Sequence, residues 1–293
     1  MTVLRPLTAA REAAALETSW ALAQSPATSL YPSFADGIKT REEFLRAASL
    51  RNAAPGEALA HLSDGEIQGL IRYEALPEDR LLTFSAFAAR NPARVTAEFL
   101  AYAAARYPGW QVDFGLHGEN AGPRSVLEKA GWTLTEECRV CVCPLAGNIS
   151  PSPAENVEPV TPRTFSEFAH LHDRTEGMYW NSPRLRAAYF RENTPWRLTL
   201  YRRQGRAAAA LCWQRFGDLA EIFGVDFEGE FDGEAMAPLL AQSLAEARRT
   251  GARAMYFFCD TASQARAAQA AGMSLFGRYQ LYQGTLSPAS AKP

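Results

Sequence analysis

The sequence predicts an α/β fold of the α+β kind, a mixed sheet with helices on both faces, built twice along one chain of 293 residues. Three observations predict it. Gly205, Gly251 and Gly272 follow Gly65, Gly109 and Gly131 by 140, 142 and 141 residues, in matching contexts. An offset near half the chain means two copies of one domain, because solenoid periods run only to roughly 20–50 residues. The length suits two domains of about 100–150 residues, each able to bury its own core. The stretch 144–159, with four prolines and little apolar periodicity, reads as the connection between them. The expected division is a first domain over residues 1–146, a linker over 147–156 and a second domain over 157–293.

Each copy shows the same order of elements. A strand near Val3 or Val157 precedes a helix from about Thr8 or Phe165. A loop follows, holding Leu30-Tyr31-Pro32-Ser33 and Asp36 in one copy and Met178-Tyr179-Trp180-Asn181 in the other. A second helix comes next, and Thr40 with Glu43 forms a capping-box pattern at the first copy's start. Apolar runs on either side of Asp64-Gly65 and Gln204-Gly205 predict two hairpins. A third strand, near Leu81–Phe87 or Leu219–Asp226, leads into a long helix at Pro92–Tyr107 or Asp232–Thr250, amphipathic in the first copy through Val95, Phe99, Tyr102 and Ala103. After Gly109 or Gly251 come a strand, a short helix and a glycine that turns into the copy's last strand. Those strands end at Val140–Cys143 and Tyr279–Gly284.

Bulk properties exclude several function classes. A formal net charge of -2 offers no general attraction to nucleic acid or to an anionic membrane. No apolar run approaches the ~18 residues of a membrane span, and Met1 to Trp20 has no signal-peptide core, so a cytoplasmic protein is expected. Cys138, Cys141 and Cys143 lack the second ligand pair of a zinc site, so no metal is expected. In an extended Val140–Cys143 segment, Cys141 and Cys143 share a face and read as small apolar core residues.

The segment from Asn120 through Ala130-Gly131-Trp132, together with the element order and the hairpins, resembles the GNAT superfamily of acyl-CoA-dependent N-acyltransferases. It is similar to that family's Asn-x-x-Ala-x-x-Leu-Tyr-x-x-x-Gly-Phe signature, and the resemblance covers nearly the whole chain, twice. It implies a tandem GNAT protein with acetyl-CoA or another acyl-CoA as co-substrate and no metal. The acyl-CoA would lie in a splay between the fourth and fifth strands, its pyrophosphate at the following helix N-terminus, where free N–H groups and the dipole favour anions.

The sequence departs from the family pattern in three places. The family's glycine-rich phosphate loop is missing from both copies. The first has Ala89-Arg90-Asn91-Pro92-Ala93-Arg94, with Arg90 and Arg94 as cations and Asn91 as a cap. The second has Gly229 and Gly233 among four carboxylates, which suit a helix N-terminus and repel a pyrophosphate. The family's acidic tyrosine maps to Leu127 and Ala268; Tyr279 or Tyr282 on the last strand is the substitute, with packing as the other reading. A base candidate stands only in the second copy: Glu221, within Ala220-Glu221-Ile222-Phe223-Gly224-Val225, is either a general base or an exposed residue paired with Arg215.

The resulting site expectation has Glu221 as base and Tyr279 as acid. Phe223, Gly224, Val225 and Gly233, with Arg90, Arg94 and Asn120 from the first copy, would bind cofactor. Tyr179, Trp180, Asn181 and Tyr31 would line the acceptor pocket; packing at the domain junction is the rival reading of these aromatics. The expected function is transfer of an acetyl group to a small-molecule amine, by the second copy. The alternative is a catalytically inactive acyl-CoA sensor or interaction protein. Expected partners are an amine acceptor, no nucleic acid and no membrane, with a homodimer left open.

Overall fold

The computed structural model describes residues 2–33, 39–146, 156–174 and 180–287. The chain divides into two compact units, and they are not contiguous halves. The first comprises Met1–Glu137 with Arg278–Pro293; the second is Cys138–Gly277.

The first unit is built from β1 (Thr2–Pro6), α1 (Ala9–Leu22), α2 (Arg41–Ala48), β2 (Ala58–Ser63), β3 (Glu66–Leu76), β4 (Leu81–Ala89), α3 (Pro92–Arg106), β5 (Gln111–His117), α4 (Ala121–Lys129) and the start of β6 (Thr133–Pro144). The second continues from β6 through β7 (Val157–Pro159), α5 (Phe165–His172), α6 (Ser182–Tyr189), β8 (Trp196–Arg203), β9 (Arg206–Phe216), β10 (Leu219–Phe227), α7 (Gly233–Arg249), β11 (Ala254–Cys259) and α8 (Ala262–Ala270). The last strand, β12 (Ser274–Thr285), begins in the second unit and ends in the first.

Local chemistry accounts for these elements. Asp64 and Gly65 have φ of 50° and 87°, and Gln204 and Gly205 have 50° and 79°. Positive φ at both central positions is the type I′ geometry that matches strand twist, and glycine adopts it without a Cβ penalty. At α2 the Thr40 side chain accepts from the Glu43 N–H while the Glu43 carboxylate accepts from the Thr40 N–H, closing the expected capping box. Asn91 and Asn181 cap α3 and α6 by accepting from Arg94 N and Arg184 N.

Within the first unit the strand order is β1-β2-β3-β4-β5-β12; within the second it is β6-β11-β10-β9-β8-β7. Each sheet is covered on both faces. In the first unit Phe44 and Ala15 of α1 and α2 seal one face, and Val95, Phe99 and Leu127 of α3 and α4 the other. In the second, Phe168 and Leu185 belong to one cluster, and Met236, Leu240 and Ala268 to the opposite one. Cys141 and Cys143 lie in the latter, as the strand pattern predicted.

The sixth strands are exchanged relative to the sequence repeat. Antiparallel to β5 runs not β6 but β12, with Tyr279 opposite His117 and Tyr282 opposite Phe114. Antiparallel to β11 runs β6, with Cys141 opposite Phe257. Copies of one strand carry the same alternation, so either can complete either sheet; side-chain fit decides between them. A Cβ at Gly115 of β5 would lie 2.8 Å from the Tyr279 ring, so β12 seats an aromatic where β5 offers none. The Tyr282 hydroxyl donates to Glu128 at 2.9 Å, fixing β12 to α4.

Candidate functional site

In the second unit, β10 and β11 run parallel and pair over four residues, Leu219–Ile222 against Ala254–Phe257. Beyond Ile222 the pairing ends, and β10 is held only by β9, with a bulge between Ile222 and Gly224. A bulge re-aims the side chains that follow it. Ala220 and Ile222 point into the core under α7, and so does Val225 after the bulge, whereas Phe223 packs toward α5 and α6. Glu221, half-buried and alternating with Ala220 and Ile222, faces the α5 and α6 side, with Gln214 and Tyr256 as its cross-strand neighbours. Arg215, its expected surface partner, donates instead to the carbonyls of Gly217 and Thr250.

Four residues past the base candidate's neighbour Ile222 stands Asp226, which the sequence reading did not single out. Its carboxylate meets His172 Nδ1 at 2.9 Å, and His172 Nε2 meets the Trp180 carbonyl at 2.7 Å. His172 is 2% exposed and stacks on Phe168 at 5.1 Å. Burial lowers its pKa, but the bonds to Asp226 and to the Trp180 carbonyl outweigh that, leaving it above the ordinary value of 6.5. Protonated imidazole donates from both nitrogens, which is what these two acceptors need. Cys212 and Asp226 lie together beside Gly224, each 3.6 Å from where its Cβ would stand.

The predicted acceptor wall is only partly assembled. Trp180 meets Trp196 edge-on at 4.7 Å, and Trp196 meets Phe223 at 5.0 Å, so Trp180 packs into the core under α5 and α6. Asn181 is a helix cap: its side chain accepts from Arg184 N at 3.2 Å. Tyr179 and Asp36 lie outside the described residues. Tyr279 sits in the first unit, 5.1 Å from Tyr31, because β12 completes that sheet, so it is not an acid paired with Glu221 within the second unit.

Neither helix N-terminus matches a free phosphate site. At α7 the Asp232 side chain already accepts from the N–H groups of Glu234 and Ala235, at 3.0 and 3.2 Å, and pairs with Arg203 at 2.6 Å. Gly233, expected to offer backbone to phosphate, is thus the first residue of a helix capped by its own carboxylate. At α3, Pro92 brings no N–H and Asn91 takes that of Arg94. The Arg94 side chain is drawn to Glu98 at 2.8 Å, and Arg90 is exposed with its N–H on the Gln68 carbonyl.

The corresponding strand gap in the first unit is filled by the chain itself. β4 and β5 pair only at Leu81/Gln111 and Leu82/Val112. Into the gap beyond them runs the segment Thr28–Ser33. Ala89 N donates to Thr28 O at 2.8 Å, Leu30 N to Phe87 O at 2.9 Å and Tyr31 N to Gly115 O at 3.0 Å; Phe87 N donates to the Ser33 hydroxyl. Asn120, expected to touch cofactor, donates to the Ser29 carbonyl at 2.7 Å and is 3% exposed. Tyr31, 9% exposed, is packed against His117 and Tyr279 as part of the same plug. The β4 edge is therefore occupied at Phe87 and Ala89.

No family model matches the chain, and no curated protein matches it. Solved structures do. A GCN5-related N-acetyltransferase from Sphaerobacter thermophilus superposes with a TM-score of 0.64 at 17% identity, over 98% of this chain and 96% of that one. A tandem GNAT protein from the clavulanic acid biosynthesis pathway gives 0.58 at 14% identity, over 99% of this chain and 100% of the other. A glucosamine N-acetyltransferase region in a fungal multi-domain β-N-acetylglucosaminidase gives 0.57 at 10% identity, over 97% of this chain and 38% of that one. At such identities the likeness is one of fold, and the fold is the tandem GNAT arrangement that the repeat and the Asn120–Trp132 segment predicted. Among the described residues no helix is long and apolar enough to cross a membrane.

Proposed function

We propose that the second unit is an acyl-CoA-dependent N-acyltransferase domain acting on a small-molecule amine, and that the first holds no acyl-CoA in its strand gap. One observation carries this reading: Thr28–Ser33 consumes the β4 edge of the first unit, while β10 leaves β11 at Ile222 with Glu221 at the point of divergence.

The residues suit one end of the co-substrate and not the other. The β10 backbone from Phe223 to Val225 would hold the acyl-thioester arm, with no side chain at Gly224 to obstruct it. The α7 N-terminus, capped by Asp232, does not suit the pyrophosphate unless Asp232 gives way to it; Arg203 would then lose its carboxylate and supply a cation. Acyl-CoA, when bound, supplies an activated carbonyl and a thiolate leaving group. Glu221 takes the proton of the attacking amine, directly or through a water, and passes it to solvent. The N–H groups of Phe223–Val225 stabilise negative charge on the carbonyl oxygen. With Tyr279 in the first unit, the departing thiolate takes its proton from solvent.

Calorimetric titration of acetyl-CoA into the whole chain, with thiol release assayed over a panel of primary amines, tests this. The expected result is one site per chain and turnover with at least one amine, with Glu221→Gln retaining binding and losing about 10²-fold or more in kcat. Absence of binding, or unchanged turnover in Glu221→Gln, overturns it. The second reading, an acyl-CoA sensor without turnover, is favoured by the Asp232 cap and would give binding with no thiol release from any amine.

A further inference from the structure

Phe216, the last residue of β9, is 47% exposed. A single exposed ring is ordinary on a protein surface; the neighbours of this one are not. Phe216 lies opposite Leu219 of β10, and Gln214 lies opposite Glu221, with no irregularity between the two pairs. Side chains alternate across a sheet, so Gln214, Phe216 and Glu221 stand on the face toward α5 and α6, where Phe223 also packs.

Phe216 and Phe223 bracket Glu221. Phe216 pairs with position 219, four residues before Phe223, which separates the two places by about 13 Å along the strand. Their ring centroids nevertheless come within 6.0 Å, at an interplanar angle of 41°. The two side chains therefore lean toward each other over the Glu221–Gln214 pair, one from each end. Phe223 is backed by Trp196 at 5.0 Å, and Trp196 by Trp180 at 4.7 Å, so its ring is held from behind while Phe216 meets solvent.

No cation stands beside Glu221 on the strands. Arg215 lies opposite Ala220 and Arg197 opposite Trp213; Ala220 and Trp213 belong to the core under α7, so both arginines point to the other face. On its other side Glu221 faces Tyr256 of β11, which is uncharged and buried. A carboxylate or phosphate next to the reacting amine would be repelled by Glu221 and meet no strand cation. The ring pair also belongs to the second copy alone. Leu76 ends β3 as Phe216 ends β9, and Thr83 and Ser85 hold the third and fifth places of β4 that Glu221 and Phe223 hold in β10. Rings and base candidate occur together in one copy and are absent together from the other.

We propose that the acceptor of the second unit is an amine carrying an aromatic ring and no anionic group, its ring against Phe216 and Phe223 and its amino group at Glu221. This names the substrate class of the acyltransferase reading and rests on it. A primary amine is a cation at neutral pH, which suits a carboxylate flanked by ring faces. The acceptor ring extends the tilted packing of Phe223 and Phe216 and takes the exposed ring out of water.

The test compares 2-phenylethylamine, L-phenylalanine and glucosamine as acceptors for the whole chain with acetyl-CoA, by thiol release. The second probe adds only a carboxylate to the first, and the third replaces the aromatic ring by a hydroxylated saturated one. The expected kcat/KM is highest for 2-phenylethylamine, by about tenfold or more. Phe216→Ala should raise its KM about fivefold with kcat unchanged, the mark of lost binding rather than lost chemistry, and Phe216→Tyr should restore it. If the alanine variant fails to fold, Phe216→Leu, which removes the ring and keeps bulk, takes its place. Equal or better turnover of L-phenylalanine or glucosamine, or an unchanged KM in the ring-less variant, overturns the proposal and leaves the acyltransferase reading intact. If no amine is turned over, calorimetric titration of 2-phenylethylamine into the chain and into that variant decides. Binding that weakens in the variant upholds the aromatic amine site although the acyltransferase reading has failed. Absence of binding, or binding indifferent to the substitution, overturns the proposal as well.

Discussion

At His172 two opposed effects meet: burial disfavours the imidazolium, and the Asp226 carboxylate with the Trp180 carbonyl favours it more. The folded pKa is raised above 6.5, so the contribution to stability is complete below that value and is lost as pH climbs through the folded pKa. Thermal unfolding of the whole chain and of His172→Gln, compared from about pH 5.5 to 9, should therefore show a Tm difference that is largest at low pH and shrinks as pH rises. A difference that is constant, or that grows with pH, would show that His172 is held neutral. The comparison must be between variants, because His61 and His117 carry the opposite sign. Burial lowers both of their pKa values, and what they contribute is lost as pH falls. How legible such residues were depended on sequence distance. The Thr40–Glu43 box spans three positions and could be read directly, whereas Asp226 and His172 are 54 positions apart. Asp226 stands in an apolar strand, a costly placement unless paired, and that was the available signal.

The elements followed from punctuation and period: glycines after helices, Asp64-Gly65 and Gln204-Gly205 between apolar runs, and an apolar stripe on α3. What escaped was the use of element ends. Two asparagines expected near ligand turn out to serve the chain itself, Asn181 as a cap and Asn120 as the anchor of Ser29, while Asp232 caps α7 as its place at a helix start suggested. Backbone N–H and C=O groups ask for the same polar side chains that a ligand would, so residue type alone does not separate the two uses. The α7 cap can be tested as an element. Asn caps a helix about as well as Asp, so Asp232→Asn should keep α7 intact while removing a negative charge from its N-terminus. Acetyl-CoA binding should tighten by about fivefold, corresponding to about 1 kcal/mol, as read by calorimetry. Unchanged or weaker affinity would mean that the co-substrate's phosphates do not use this helix.

At the scale of the whole molecule the duplication was legible and the partition was not. A fixed offset between glycines reports two copies, but says nothing about which copy of the last strand pairs with which sheet, because both copies satisfy the same alternation. The contiguous division at residues 147–156 therefore gives way to units closed by exchanged strands. Truncation after Gly277 removes the β12 residues that pair with β5. The expected outcome is loss of the first unit's structure, seen as collapse of amide protection along β4 and β5. Undiminished protection there would mean that β12 is dispensable.

The exchange also sets an order for biosynthesis. A ribosome delivers β1 through β5 first, and the strand that covers Gly115 resumes the first unit only at Arg278, about 140 residues after Glu137. At about 5–20 residues per second, the nascent first unit waits roughly 7–28 s with one sheet edge uncovered. During that interval the growing polypeptide exposes a pairing surface to chaperones and to neighbouring nascent chains, including β12 from another copy of itself.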